Sequence, residues 1–383
     1  MKVTKDIKYI GVNDHNIDLF EGQYIVPNGM AYNSYVILDE KICVMDSVDT
    51  HFSKIWLDNL KKELNGRIPN YLVVQHMEPD HSGSIMDIIK EYPNIIVVSS
   101  KQAFTMMKQF FGVDFENQRI VVKEGDVLDL GAHKLSFIGA PMVHWPEVIM
   151  TYDSKDKILF SADAFGKFGA LDIQEEWACE ARRYYIGIVG KYGAQVQNVL
   201  KKASSLDIQI ICPLHGPVLS ENLDYYLNLY DIWSSYKVEE KGVLISYCSI
   251  YGNTKQAVLE LEALLKARGH KVVVNDLARV DMAEAIEDAF RYSHHIFASS
   301  TYNMDVFPFM NTFIHGLVER NYQNRVVGFI ENGSWMPNAT KVMKSLLEKS
   351  KNLTYLNTEV RILSSLNEDS RKQLMILSDE LSK

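Results

Sequence analysis

The stretch His76-Met77-Glu78-Pro79-Asp80-His81-Ser82 places two imidazoles and two carboxylates within six positions, directly after the apolar run Tyr71-Leu72-Val73-Val74. So many nitrogen and oxygen donors are costly to bury unless a positive charge compensates them, and a metal ion does so directly. The plain alternative is a solvated polar loop after a strand, which this stretch alone does not exclude.

Three later fragments strengthen the metal reading, because each sets a His or Asp just after a β-like run. Leu135-Ser136-Phe137-Ile138 precedes Pro141-Met142-Val143-His144-Trp145-Pro146, Ile158-Leu159-Phe160-Ser161 precedes Asp163, and Ile208-Gln209-Ile210-Ile211 precedes Cys212-Pro213-Leu214-His215-Gly216. Loops at one edge of a sheet can converge, so ligands distant in sequence become neighbours. The candidate set is His76, Glu78, Asp80, His81, His144, Asp163 and His215. Seven ligands exceed one tetrahedral zinc and suit two metals, with Asp163 as the carboxylate able to bridge them.

Around this core the chain reads as two domains, the natural expectation for 383 residues of which 47% are hydrophobic. Residues 1–240 begin with short strands (7–11, 23–26, 34–38, 42–45). An amphipathic helix follows through Phe52, Ile55, Trp56, Leu60 and Leu64, with Gly66 beyond its end. Mixed strands and helices, then strands again, suit two sheets packed between helices. The segments 174–206 and 221–236 read as helical. The periodicity stops in Lys237-Val238-Glu239-Glu240-Lys241, and residues 241–383 alternate strand and helix five times, which implies a doubly wound parallel sheet.

The first turn of this second domain, Ser246-Tyr247-Cys248-Ser249-Ile250-Tyr251-Gly252-Asn253-Thr254, leads into a helix whose free N–H groups can hold a phosphate. Its spacing is not G-x-G-x-x-G, which weakens a dinucleotide reading, and a plain helix cap accounts for the turn equally well. Two later strand ends carry Ser300-Thr301-Tyr302-Asn303 and Glu331-Asn332-Gly333-Ser334-Trp335. Ligands of open α/β sheets bind outside the carboxyl ends of the strands, as FMN does in flavodoxin. Tyr302 and Trp335 are candidates to border a flat flavin ring, or loop aromatics that close a core edge.

The net charge of −9 argues against nucleic acid or an anionic membrane surface as partner. No signal-peptide pattern or long apolar run is visible, so a cytoplasmic protein is expected. Cys43, Cys179, Cys212 and Cys248 form no C-x-x-C pair, which excludes a rubredoxin-like or zinc-ribbon site within the chain.

With both sites in view, the chain resembles the flavodiiron proteins, also called A-type flavoproteins, over essentially its whole length. The resemblance implies a metallo-β-lactamase-like αββα sandwich followed by a flavodoxin-like α/β doubly wound sheet. In the zinc hydrolases of the first fold the motif is H-x-H-x-D-H; here Glu78 stands at the second His, which is the diiron variant. The resemblance assigns His76, Glu78 and His144 to one iron, Asp80, His81 and His215 to the other, and Asp163 to the bridge; the counterpart of His81 is not a ligand in every member. It assigns Ser249, Ile250, Tyr251, Gly252, Asn253, Thr254, Ser300, Thr301, Tyr302, Asn303, Gly333, Ser334 and Trp335 to FMN. Glu331-Asn332 departs from the shorter glycine-serine pattern of many relatives.

The implied activity is reduction of dioxygen to water, of nitric oxide to nitrous oxide, or both. The implied partners are a separate electron donor, such as a rubredoxin or a flavin reductase, and a second copy in a head-to-tail dimer or a dimer of dimers. Two rival classes stay open: a zinc hydrolase fused to a flavodoxin, against which Glu78 speaks, and an electron carrier without gas reduction. Tyr24, Trp145 and Tyr192 are candidates for the groups that set the choice of gas.

Overall fold

The structure, a computed structural model, describes residues 3–383. The chain divides into two compact units, Met1–Asp231 and Ile232–Lys383, with the division inside the helix Leu223–Ser234.

Two sheets face each other in the first unit. One runs in the order Ile7–Tyr9, Tyr35–Ile37, Cys43–Met45, Tyr71–Val73, Ile96–Ser100, Arg119–Val122, and the other Val127–Asp129, Lys134–Gly139, Ile149–Asp153, Ile158–Phe160, Ile210–Cys212. Side chains alternate across a strand, so Tyr35, Ile37, Cys43, Met45, Val73 and Val98 point inward from the first sheet. They meet Leu135, Phe137, Ile149, Ile158, Phe160 and Cys212 from the second in one buried cluster. The intervening Val36, Val44, Leu72 and Val97 are buried as well. Burial of both faces is what strands joined by crossover helices require. The helix Ser53–Leu64 buries Trp56, Leu60 and Leu64, and Trp56 donates its indole N–H to Ser34 Oγ at 3.0 Å.

This topology gathers the polar loops. Ile158–Phe160 runs parallel to Ile210–Cys212, and Lys134–Gly139 is two antiparallel steps away from Ile158–Phe160 and therefore points the same way. Their carboxyl ends open at one edge, where His144, Asp163 and His215 follow.

The segment 174–206 is mostly helical, as expected, and is divided into Trp177–Tyr184, a wide helical turn at Tyr185–Val189, a tight one at Gly190–Tyr192, and Gly193–Ala203. Gly187 within the wide turn lies against the Tyr24 ring, 2.8 Å from where a Cβ would stand, so a larger residue would not fit there. A further helix, Lys101–Phe111, is capped by Ser100 Oγ accepting the Ala103 N–H at 3.2 Å.

The second unit is one parallel sheet ordered Val272–Asp276, Glu240–Tyr247, Tyr292–Tyr302, Val326–Asn332, Thr354–Ile362, with Asp305–Val306 antiparallel to the end of Tyr292–Tyr302. In chain order this is 2-1-3-4-5, and the order reverses between the first and third strands. Ala257, Val258, Leu261 and Leu265 of Asn253–Ala267 join Leu374, Leu377 and Leu381 in one core cluster with the sheet. Another layer stacks Phe297 on Phe329 (5.9 Å) and tilts it to Phe313 (6.2 Å). Buried His295 belongs to this core. It is paired with Tyr322 Oη (3.1 Å) and Ser246 Oγ (2.9 Å), and burial holds it neutral.

Phe160 sits between the sheets of the first unit, 5.5 Å from the Tyr35 ring. Phe160→Ala is expected to cost about 3–5 kcal/mol, read as a lower denaturant midpoint for the first unit. An unchanged midpoint would contradict the packing described.

Candidate metal centre and strand-end cavity

Pro79, fixed in φ, starts a one-turn helix, Pro79–Ser82, and the Glu78 carbonyl accepts the N–H groups of His81 and Ser82 at 2.9 Å. Ser82 Oγ donates to Met77 O (2.8 Å) and Ser47 Oγ to His81 O (2.7 Å), so the motif is clasped from both ends. Asp163 lies in a tight turn between Ala162 and Phe165, both at positive φ, which Ser161 Oγ closes onto Ala164 O at 2.7 Å.

These loops bring all seven predicted residues together in two buried groups that could each hold a metal ion: His76, Glu78, His144 and Asp163, and beside them Asp80, His81 and His215. His144 Nε2 is 3.0 Å from both Glu78 Oε2 and Asp163 Oδ2, and His76 Nε2 is 3.3 and 3.4 Å from the same two oxygens. On the other side, Nε2 of His81 and of His215 are 3.0 Å apart and each is 3.3 Å from Asp80 Oδ2. Asp163 faces both groups: Oδ2 toward the first, and Oδ1 toward His81 at 3.3 Å and His215 at 4.0 Å. Metal bonds of about 2.1 Å set adjacent donors about 3.0–3.4 Å apart, so these spacings are those of coordination spheres. The donor set fits two ions for a second reason. Both carboxylate oxygens of Asp80 and of Asp163 are buried with no hydrogen-bond donor among the described residues.

Charge within the cluster is strongly coupled. Burial pushes Asp80 up to about 7, whereas for Asp163 the same burial is outweighed by His76, His144 and His81, which hold its carboxyl well below the usual range. His144 is pushed up to about 9, against burial, by the carboxylates of Asp163 and Glu78 beside it.

The surrounding groups were only partly legible. Trp145 packs edge-on against His76 at 5.2 Å, Tyr24 tilts over Phe168 at 5.6 Å, and Tyr192 is half-buried. Three contacts went unpredicted. Glu147 Oε1 accepts from His76 Nδ1 (2.8 Å), Ala31 O accepts from His215 Nδ1 (2.7 Å), and the buried Tyr184 ring lies 5.5 Å from His215. Glu147 follows His144 by three residues, a spacing that signals proximity but not burial.

In the second unit a cavity of about 490 Å³ opens at the carboxyl ends of the strands, a size suited to a cofactor. It is lined by the predicted Ser249, Ile250, Tyr251, Asn253, Thr254, Ser300, Thr301, Asn303, Gly333, Ser334 and Trp335, and also by Met304, Asn332 and Ser364. Gly252 and Tyr302 sit on the same loops without lining it. Gly252 holds φ +94 at the start of Asn253–Ala267, and Tyr302 packs on Phe307 at 5.5 Å. Ser249 Oγ accepts the N–H groups of Gly252 (3.1 Å) and Lys255 (3.2 Å), shaping the helix start. The Thr254 and Ser300 hydroxyls are 3.0 Å apart and join two of the loops, while Asn332 and Ser364 exchange two hydrogen bonds that join two more. Ser364 follows the last strand, and the strand-end rule points to it.

The family described as ODP family beta lactamase matches residues 30–216. Putative diflavin flavoprotein A 2 of Synechocystis sp. is 33% identical over 71% of this chain and 48% of its own length. Anaerobic nitric oxide reductase flavorubredoxin of Escherichia coli is 27% identical over 90% of this chain and 74% of its own. The rubredoxin oxygen:oxidoreductase of Desulfovibrio gigas shares the fold, with a TM-score of 0.92 at 22% identity, over 100% of this chain and 97% of that one. The chain spans about half the length of the diflavin relatives it matches. The fold is a metallo-β-lactamase-like sandwich followed by a flavodoxin-like sheet, and the chain belongs to the flavodiiron proteins. Among the described residues no helix is long and apolar enough to cross a membrane.

Proposed function

We propose that this chain is a flavodiiron reductase, in which FMN in the strand-end cavity supplies electrons to a non-haem diiron centre that reduces dioxygen to water, nitric oxide to nitrous oxide, or both. The observation that carries the reading is Asp163, whose two oxygens face separate groups of ligands. His76, Glu78 and His144 would hold one iron, and Asp80, His81 and His215 the other. When bound, two adjacent irons supply paired electrons to a small gas molecule. Oxygen- and imidazole-rich ligation suits redox-active iron, and the Glu78 carboxylate favours the ferric state more than a neutral imidazole would.

For the cofactor, the helix start at Asn253 and Thr254 offers N–H groups to the phosphate, and the hydroxyls and amides of Ser300, Thr301, Asn303 and Asn332 surround the remainder. Among the described residues no charged side chain lines this cavity, so recognition rests on backbone dipoles and neutral donors. A rubredoxin or a flavin reductase fits as the electron donor, in keeping with the rubredoxin named for the Desulfovibrio gigas relative. Around the cavity Tyr251 is 93% exposed and Trp335 77%, with Met336 and Ile250 beside them. Such an apolar rim favours the head-to-tail homodimer, in which one subunit's flavin meets the other's irons.

Metal analysis and anaerobic assays with a reduced rubredoxin test the reading. The protein is expected to hold about two irons and one FMN per chain and to consume dioxygen, nitric oxide or both. His144→Ala is expected to abolish consumption while FMN stays bound. Two zincs with esterase or lactamase activity, or normal flavin reduction without gas consumption, would overturn it. Thr254→Leu, which removes the contact to Ser300 and crowds the helix start, is expected to weaken FMN binding by about tenfold or more. Unchanged affinity in a fluorescence titration would remove Thr254 from the site.

A further inference from the structure

The outward-facing nitrogens of the buried imidazoles are not treated alike. His215 Nδ1 meets a backbone carbonyl, and His81 Nδ1 is buried with no partner among the described residues. In the metal centre His76 Nδ1 meets a carboxylate, Glu147 Oε1, at 2.8 Å. The same oxygen accepts the Met77 N–H at 2.8 Å, so one atom grips both the ring of His76 and the backbone beside it. Glu147 is itself held. Ser100 Oγ donates to its carbonyl at 2.9 Å, and the Ile149 N–H reaches Gln75 O at 3.1 Å, which ties the two loops together on either side. Both Glu147 and His76 are buried, so the contact is not loosened by water.

We infer that Glu147 is a positioning residue of the metal centre. Its carboxylate fixes the tautomer of His76 with the proton on Nδ1, leaving the Nε2 lone pair directed at Glu78, His144 and Asp163. A buried negative charge at this distance also strengthens the imidazole as a donor and favours the more oxidised metal. Met77 adds a constraint: turning the carboxylate away from His76 also strands a buried backbone N–H, so the anchor resists rotation. The inference rests on the diiron reading proposed above and assigns one residue within it.

The test compares wild-type holoprotein with Glu147→Gln, which keeps an acceptor oxygen but loses the charge, and Glu147→Ala, which loses the anchor. Iron release to a chelator and Mössbauer spectra of ⁵⁷Fe-loaded protein are recorded at equal FMN content. Glu147→Gln is expected to retain the fold, to bind iron about 10–100-fold more weakly, to alter the spectrum of one iron and leave the other, and to move the midpoint potential positive. Glu147→Ala is expected to lose iron further. Wild-type iron release, spectra and potential in Glu147→Gln would overturn the role of Glu147 even if Glu147→Ala fails to fold. Wild-type protein that takes up no iron would instead overturn the diiron reading, and this inference with it.

Discussion

Four imidazoles and three carboxylates share one buried region of the first unit, and the rest of that unit is arranged around what their burial demands. An uncompensated buried carboxylate is expensive, and three at close range repel one another as well. Hydrogen bonding does not resolve this, since Asp80 and Asp163 receive no donor from the described residues. Two divalent cations would balance these three carboxylates together with that of Glu147 behind His76, which is why the centre calls for a pair of ions. The sandwich contributes by making loops from both sheets end at one edge, so that residues up to 139 positions apart, His76 and His215, become neighbours.

The second unit solves a different problem with different means. Among the described residues its strand-end cavity holds no charged side chain; a helix start and a ring of hydroxyls and amides offer hydrogen bonds instead. The loops are braced against one another by Thr254 with Ser300 and by Asn332 with Ser364, and Glu331 ties the fourth strand to Arg361 (2.7 Å) and to the Thr340 N–H (3.1 Å). Glu331, buried, is thus a structural brace behind the cavity. The contrast is physical: charged side chains gather in the buried cluster of the first unit, while neutral donors line the strand-end cavity of the second.

Much of this was legible because local chemistry and strand periodicity coincide. The motif at residues 76–82 and the lone His144, Asp163 and His215 each follow apolar runs, so the strand-end rule alone brought the seven together. In the second unit the alternation of strand and helix announced the parallel sheet, and Ser249 to Thr254 announced its first turn. What stayed hidden depends on tertiary contact. Glu147 has the composition of any surface acid, and only the fold shows that it is buried against His76. The approach of Tyr24 to Gly187 within the wide turn at Tyr185–Val189 is likewise a tertiary contact that no local periodicity encodes. Tyr302 packs on Phe307 while Met304, two residues on, lines the cavity, a difference that position in the sequence does not reveal.

The central claim is that Asp163 joins two metals of one kind. Anomalous diffraction from crystals of the holoprotein, recorded on both sides of the iron absorption edge, tests it most directly. The account predicts two iron peaks, one within reach of His76, Glu78 and His144 and one within reach of Asp80, His81 and His215, with the Asp163 carboxylate between them. A single peak, peaks that appear only at the zinc edge, or iron located away from Asp163 would contradict it.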